Sequence, residues 1–258
     1  MKRTSLLTTV FLASTVLNVC SAISIAAQTR KASTTQRAAP AAKDPMIGKT
    51  AVVMDELLSV LRREASLFSE AVHRMQRGRQ VTILGVREAD GVTFFKVKAM
   101  PTSEGWVQSE ALISPSRPRD EDRGAMIVQA LTGFDQVEAA VQYFKLFPNS
   151  RFKPALLLIF GDTLEDLATT ITRDAGRRLR RKEMAASAAP MHSYYLNFVL
   201  LDRYRKLGIR FLFNPKTRNY HYDGQAWNEI VSKFPDSTEA TAARERLNDL
   251  KTKLEAEK

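Results

Sequence analysis

The nearest approach to a reactive constellation is Tyr220-His221-Tyr222-Asp223-Gly224, where a histidine lies two residues from a carboxylate. On a strand these side chains would share a face and could act as an acid–base pair. In a turn they need not, and the stretch reads equally as a loop entering a helix with Asp223 near its cap. We adopt the loop reading and keep a hydrolase using His221 and Asp223 as the alternative. Asp162, Glu165 and Asp166 are spaced as one helix face rather than as paired catalytic carboxylates. His73, His192 and His221 are scattered, no H-E-x-x-H, phosphate-binding loop or G-x-S-x-G elbow occurs, and Cys20 is the only cysteine. The expectation is a protein with no catalytic set, no metal and no cofactor.

Charge offers a second kind of chemistry. Arg177, Arg178, Arg180, Arg181 and Lys182 form a run interrupted only by Leu179. It is a candidate anion-binding cluster for lipid headgroups or acidic wall polymer. As a plain structural feature it would complement a helix C-terminus, at about 0.3–1 kcal/mol per cation. The formal net charge of +11 draws the chain toward polyanions. No basic–aromatic signature of a nucleic-acid reader is present, so no nucleic-acid partner is expected.

The elements that must position these groups begin with a leader. Lys2 and Arg3 precede LLTTVFLASTVLNV, and small residues follow in SAISIAAQ. That order is a secretory signal over residues 1–27, too short and polar for a membrane span. Its removal takes Lys2 and Arg3 with it, lowering the charge from +11 to +9. Cys20, after Leu17-Asn18-Val19, is the alternative lipid-attachment point of a lipoprotein. Residues 28–45 are rich in Ala, Thr, Ser, Gln and Pro and read as a disordered linker.

Residues 46–116 show short runs of near-two periodicity, with Phe95, Val97 and Ala99 on one face and Phe94, Lys96 and Lys98 on the other. They predict a small β-barrel. Leu58-Ser59-Val60-Leu61-Arg62, then Gly78-Arg79-Gln80-Val81-Thr82-Ile83-Leu84-Gly85, Phe94-Phe95-Lys96-Val97 and Gly105-Trp106-Val107 follow one another in the order of a bacterial SH3 domain, which this region resembles. That resemblance implies peptide or cell-wall ligands, with Phe94, Lys96, Lys98 and Trp106 as the candidate binding residues. Leu61 is inserted before the arginine, Arg63-Glu64-Ala65-Ser66 replaces the usual small turn, and Phe94 stands where the family has tryptophan. These departures lie near the family's groove, so its ligand preference does not transfer.

PSRPRDEDRG at 115–124 marks a boundary, beyond which the period shifts toward 3.6 over 120–258. Phe160, Leu164, Leu167, Ile171 and Ala175 keep phase across Gly161 and predict one long helix. A break capped by Asp162 and Glu165 is the alternative. A further helix is expected over 191–207 and two more over 225–255. Phe147-Pro148-Asn149-Ser150 and Phe234-Pro235-Asp236-Ser237 repeat one phrase, each set between a helix and its successor. They resemble tetratricopeptide-like repeats of envelope proteins, with Ala155 and Ala242 as the small residues that let helices approach.

The expected fold is therefore α+β and multidomain: a small β-barrel of bacterial SH3 type, then an all-α tetratricopeptide-like domain. The expected function is an exported, non-catalytic scaffold of the periplasm or cell envelope that binds a protein or peptide partner, with cell-wall polymer or an anionic lipid surface as further candidates. Wall binding through the barrel alone is the other alternative.

Overall fold

A computed structural model describes residues 44–99, 103–179, 184 and 186–255. The signal segment, Cys20, nearly all of the 28–45 linker and Arg180, Arg181 and Lys182 lie outside the described residues.

Seven strands form one antiparallel sheet: β1 (Thr50–Val53), β2 (Val60–Arg62), β3 (Ala71–Arg74), β4 (Gln80–Ala89), β5 (Val92–Ala99), β6 (Ser103–Gln108) and β7 (Leu112–Ile113). Their spatial order is β3-β2-β6-β5-β4-β1-β7. Alternation sends Val81, Ile83, Phe95, Val97, Ala99 and Val107 into an apolar interior. A bulge at Leu84 lets Ile83 face Val97 while Gly85 faces Lys96, and Val86 then joins the interior beside Phe95.

The sheet is curled but open, which corrects the expected closed barrel. Strands β3 and β7 are its two ends and do not pair. The reason lies at β7, which is only two residues long. Its Leu112 carbonyl accepts Arg117 Nη2 at 2.7 Å and also Arg123 Nη2. Side chains, not a strand, occupy that edge.

The same arginines join sheet to helix. Asp120, 2% exposed, opens α1 (Asp120–Ala130). Its Oδ2 accepts the Ser114 N–H at 2.7 Å and its Oδ1 accepts Arg117 Nε at 2.8 Å. Arg77 reaches over from the β3–β4 turn, donating to the Met54 carbonyl at 2.9 Å and the Asp135 carbonyl at 3.1 Å. Met54 and Ile113 from the sheet are buried in the core of the helices.

Beyond α1 come α2 (Gly133–Leu146) and α3 (Lys153–Arg178), then short α4 (Met191–Leu196) and α5 (Leu201–Arg205). Strands β8 (Phe211–Asn214) and β9 (Asn219–Tyr222) form a hairpin, followed by α6 (Gln225–Lys233) and α7 (Glu239–Glu255). The hairpin corrects the expectation of an all-α tetratricopeptide-like region; the α+β class stands. Aromatic side chains on one face of the hairpin, where Phe211 pairs with Tyr222 and Phe213 with Tyr220, are the cause. Phe213 stacks on Tyr195 at 4.6 Å, Phe211 meets Tyr204 edge-on at 5.1 Å, and Tyr222 meets Trp227 at 5.4 Å.

Helix α3 runs unbroken through Gly161, as the phase of its apolar residues requires. A Cβ at Gly161 would lie 2.3 Å from Trp227 Nε1, so this glycine is where α6 seats its indole. The expected helix over 191–207 is instead divided. Asn197 returns its side-chain amide to the Ser193 carbonyl at 2.9 Å, and Tyr220 donates its hydroxyl to the Tyr195 carbonyl at 2.5 Å. The same carbonyl accepts the Phe198 N–H at 3.1 Å, a tighter i→i+3 turn that ends the α-helical ladder.

The two repeated phrases fold alike. Phe147 N–H reaches the Tyr143 carbonyl and Phe234 N–H the Ile230 carbonyl, both at 2.8 Å. Ser150 and Ser237 then donate their N–H to Phe147 and Phe234 and receive Lys153 and Ala240. Their hydroxyls differ. Ser150 Oγ meets Tyr143 Oη and Glu121 Oε1, each at 2.7 Å, whereas Ser237 Oγ is buried without a partner. Ala155 and Ala242 are only half-buried, and the fully covered positions are their neighbours Leu156 and Ala243.

Two outcomes follow for stability in urea. Gly161→Ala should lose about 1–2 kcal/mol, because crowding of the Trp227 ring outweighs the gain of about 1 kcal/mol in helix propensity. Ser150→Ala should cost about 1–2 kcal/mol by stripping a partner from the buried Tyr143 hydroxyl, while Ser237→Ala should leave the midpoint unchanged or raise it.

Candidate functional site

The outward face of the sheet gathers most of the expected ligand-binding residues. Strand pairing aligns Arg62, Trp106, Lys96 and Gly85 in one row across β2, β6, β5 and β4. Arg87 lies over the Trp106 ring at 5.6 Å from its centroid. Trp106 and Lys96 are half-buried and Lys98 is exposed. Lys98 faces Glu104 across β6. Phe94, the fourth expected residue, is fully buried and offers nothing to a ligand. The row thus holds an aromatic plate, two cations and a glycine that leaves the strand low beside Lys96, with Arg87 over the plate as a third cation.

One loop borders this face. Residues 63–70 leave β2, and Ser66 Oγ and Leu67 N–H both donate to Asp90 Oδ2, at 2.7 and 2.8 Å, in the β4–β5 turn. These bonds, the Ser66 hydroxyl first, hold the Asp90 carboxyl below its usual range. Arg62 steadies the loop by donating to the Ser69 carbonyl at 2.7 Å. Phe68, at 88% exposure, stands out from the loop into solvent. Arg62, Arg87 and Phe68 were not among the residues singled out by sequence. The alternation of β5 pointed to the face, but only the register across the Leu84 bulge names its neighbours.

His221 and Asp223 are not brought together. His221 Nδ1 lies 3.0 Å from Glu165 Oε1, and Asp223 pairs with Arg210 at 3.4 Å while accepting the Gln225 N–H at 3.1 Å as the next helix begins. Glu165, read from sequence as part of one helix face, is the centre of this region. It also accepts the Tyr222 N–H at 2.9 Å and Lys253 Nζ at 2.8 Å. One carboxylate so ties α3 to β9 and α7. Burial alone would raise its pKa, but the bonds from His221, Lys253 and Tyr222 prevail and bring it down to about 2. Asp162 is engaged by Arg246 at 3.0 Å along the same cleft. Among the described residues no group of three or more His, Cys, Asp or Glu is arranged to hold a metal ion.

Of the basic run, Arg177 and Arg178 are described; both are exposed where α3 ends, and Arg178 is 3.8 Å from Asp174. No helix among the described residues is long and apolar enough to cross a membrane. No family model matches the chain, and no match to it was found among curated proteins or solved structures.

A carboxyl depressed from 4.5 to about 2 adds stability that is complete above pH 4.5 and disappears as pH falls toward 2. Glu165→Gln should therefore lose on the order of 3 kcal/mol at pH 7. The gap between variant and parent should narrow between pH 4.5 and 2, as followed by urea unfolding at a series of pH values.

Proposed function

We propose that this is an exported, non-catalytic binding protein of the cell envelope, which takes a peptide or wall polymer on the Trp106 face of its curled sheet. The observation that carries the reading is the row Arg62–Trp106–Lys96 with Arg87 over the indole. An aromatic plate ringed by cations, built on paired strands, suits a ligand with a flat or apolar part and negative charge. Export is supported by the n-region, apolar run and small-residue order of residues 1–27, with the only cysteine inside that leader. The helical half, rigidly joined to the sheet through Asp120 and Arg77, is proposed as a scaffold for a protein partner.

Against a hydrolase stands the geometry of its two candidate residues. His221 is 8% exposed and held by Glu165, and Asp223 is spent on Arg210 and the start of α6. No nucleophile is within hydrogen-bonding reach of His221 among the contacts of the described residues.

Sedimentation with purified wall sacculi tests the reading. The full chain should co-sediment, and Trp106→Ala should weaken binding by at least about tenfold, equivalent to roughly 1.4 kcal/mol. Arg87→Ala should weaken it less, and rising salt should weaken it for the parent. Equal retention of Trp106→Ala and the parent would refute this site, and turnover abolished by His221→Ala would refute the non-catalytic assignment.

A further inference from the structure

We propose that the surface formed by the end of α3 and the 191–199 segment is a docking site for an anionic lipid bilayer. The inference rests on the envelope location proposed above but not on the Trp106 face. An open groove here is lined by Leu179, Tyr194, Phe198 and Val199 with Arg178 at its rim, and its lining contains no acidic residue. Beside it the chain projects apolar side chains into solvent: Val199 is 67% exposed, Leu196 45% and Met191 44%. Met191 and Leu196 belong to α4, and Val199 follows where the expected 191–207 helix is divided. With Asn197 closing α4, Phe198 is left buried while Leu196 and Val199 on either side of it are exposed.

Charge chooses the occupant. Arg177 and Arg178 are exposed at the end of α3, and Arg205 donates to the Leu196 carbonyl next to the apolar tips; Asp174, 3.8 Å from Arg178, and Asp202, 3.0 Å from Arg205, offset two of these three cations and leave Arg177 in excess. Apolar tips flanked by arginines match the boundary between acyl chains and anionic headgroups, where protruding aliphatic groups bury and guanidinium groups meet phosphate. Tyr194, whose hydroxyl donates to the Met184 carbonyl at 3.2 Å, puts an amphipathic ring at the same level. A peptide would need its apolar residues enclosed, whereas these side chains stand proud of the surface.

The full chain should be mixed with vesicles of phosphatidylglycerol and phosphatidylcholine in equal parts, and with vesicles of phosphatidylcholine alone, and bound protein separated by flotation. Binding should require phosphatidylglycerol. Val199→Asp and Arg177→Glu, both at exposed positions, should each weaken it at least about tenfold, given about a factor of five to six per basic contact. Trp106→Ala should bind vesicles as the parent does, which separates this site from the sheet face. Three results would overturn the proposal. The first is equal binding to both vesicles, as an apolar leader inserting by itself would give. The second is Val199→Asp and Arg177→Glu floating with the parent. The third is Val199→Asp losing a captured protein partner while keeping its vesicle binding.

Discussion

Asp120 is a charge taken out of water at the point where sheet becomes helix, and the arrangement of both halves depends on keeping it satisfied. Its two oxygens accept the Ser114 N–H and the guanidinium groups of Arg117 and Arg123. Those arginines spend their remaining donors on carbonyls of Ser109, Glu110 and Leu112, at the end of the sheet. A buried carboxylate without such partners is costly, and burial is indeed the first influence on it, pushing its pKa up. The bonds that satisfy it hold the start of α1 against β7. They also use the edge that a closing strand would have needed.

Helix α3 has the corresponding role in the second half. Gly161 admits Trp227, and Glu165 and Thr172 lie along the face that meets the hairpin. Glu165 accepts the Tyr222 N–H and Thr172 Oγ1 accepts the Tyr220 N–H. Two helix side chains thereby cap the edge of β9, much as two arginines cap β7. Each sheet is bounded in part by side chains rather than by further strands, which answers the hazard of exposed strand edges without closing a barrel. The cost at Trp227 is an indole N–H left unbonded in the interior, a consequence of tight aromatic packing against a helix backbone.

The function proposed above places the work of this frame on its surfaces. His221 and Asp223, the nearest approach to a reactive pair in the sequence, are absorbed into joints between elements, as are Glu165 and Asp162 of α3. The groups left facing solvent are cations around an aromatic ring on the sheet, and aliphatic tips beside arginines where α3 ends. Both surfaces combine apolar area with positive charge, in keeping with the chain's +11 balance, and both stand on elements fixed by buried hydrogen bonds.

The strands, the unbroken α3 and the twice-used Phe-Pro-x-Ser stop are properties of the sequence itself, because alternation, 3.6-residue phase and proline's missing N–H act within a few residues. Other features come from encounters across the chain. Phe94 alternates with its core neighbours and reads as outward, yet it is buried; Arg87 meets Trp106 only because one residue bulges at Leu84. Of the 220–224 stretch, read as a loop entering a helix, residues 220–222 pair as a strand because β8 and α3 supply partners for their backbone, whereas Asp223 does accept the Gln225 N–H where the helix begins. Helix 191–207 divides where Phe198 turns back to the Tyr195 carbonyl, which also holds a tyrosine hydroxyl from the hairpin. Glu165 and His221 are far apart in sequence and adjacent in space. Local sterics decide the elements; which hydrogen-bonding groups remain free to join them is settled only when the chain has closed on itself.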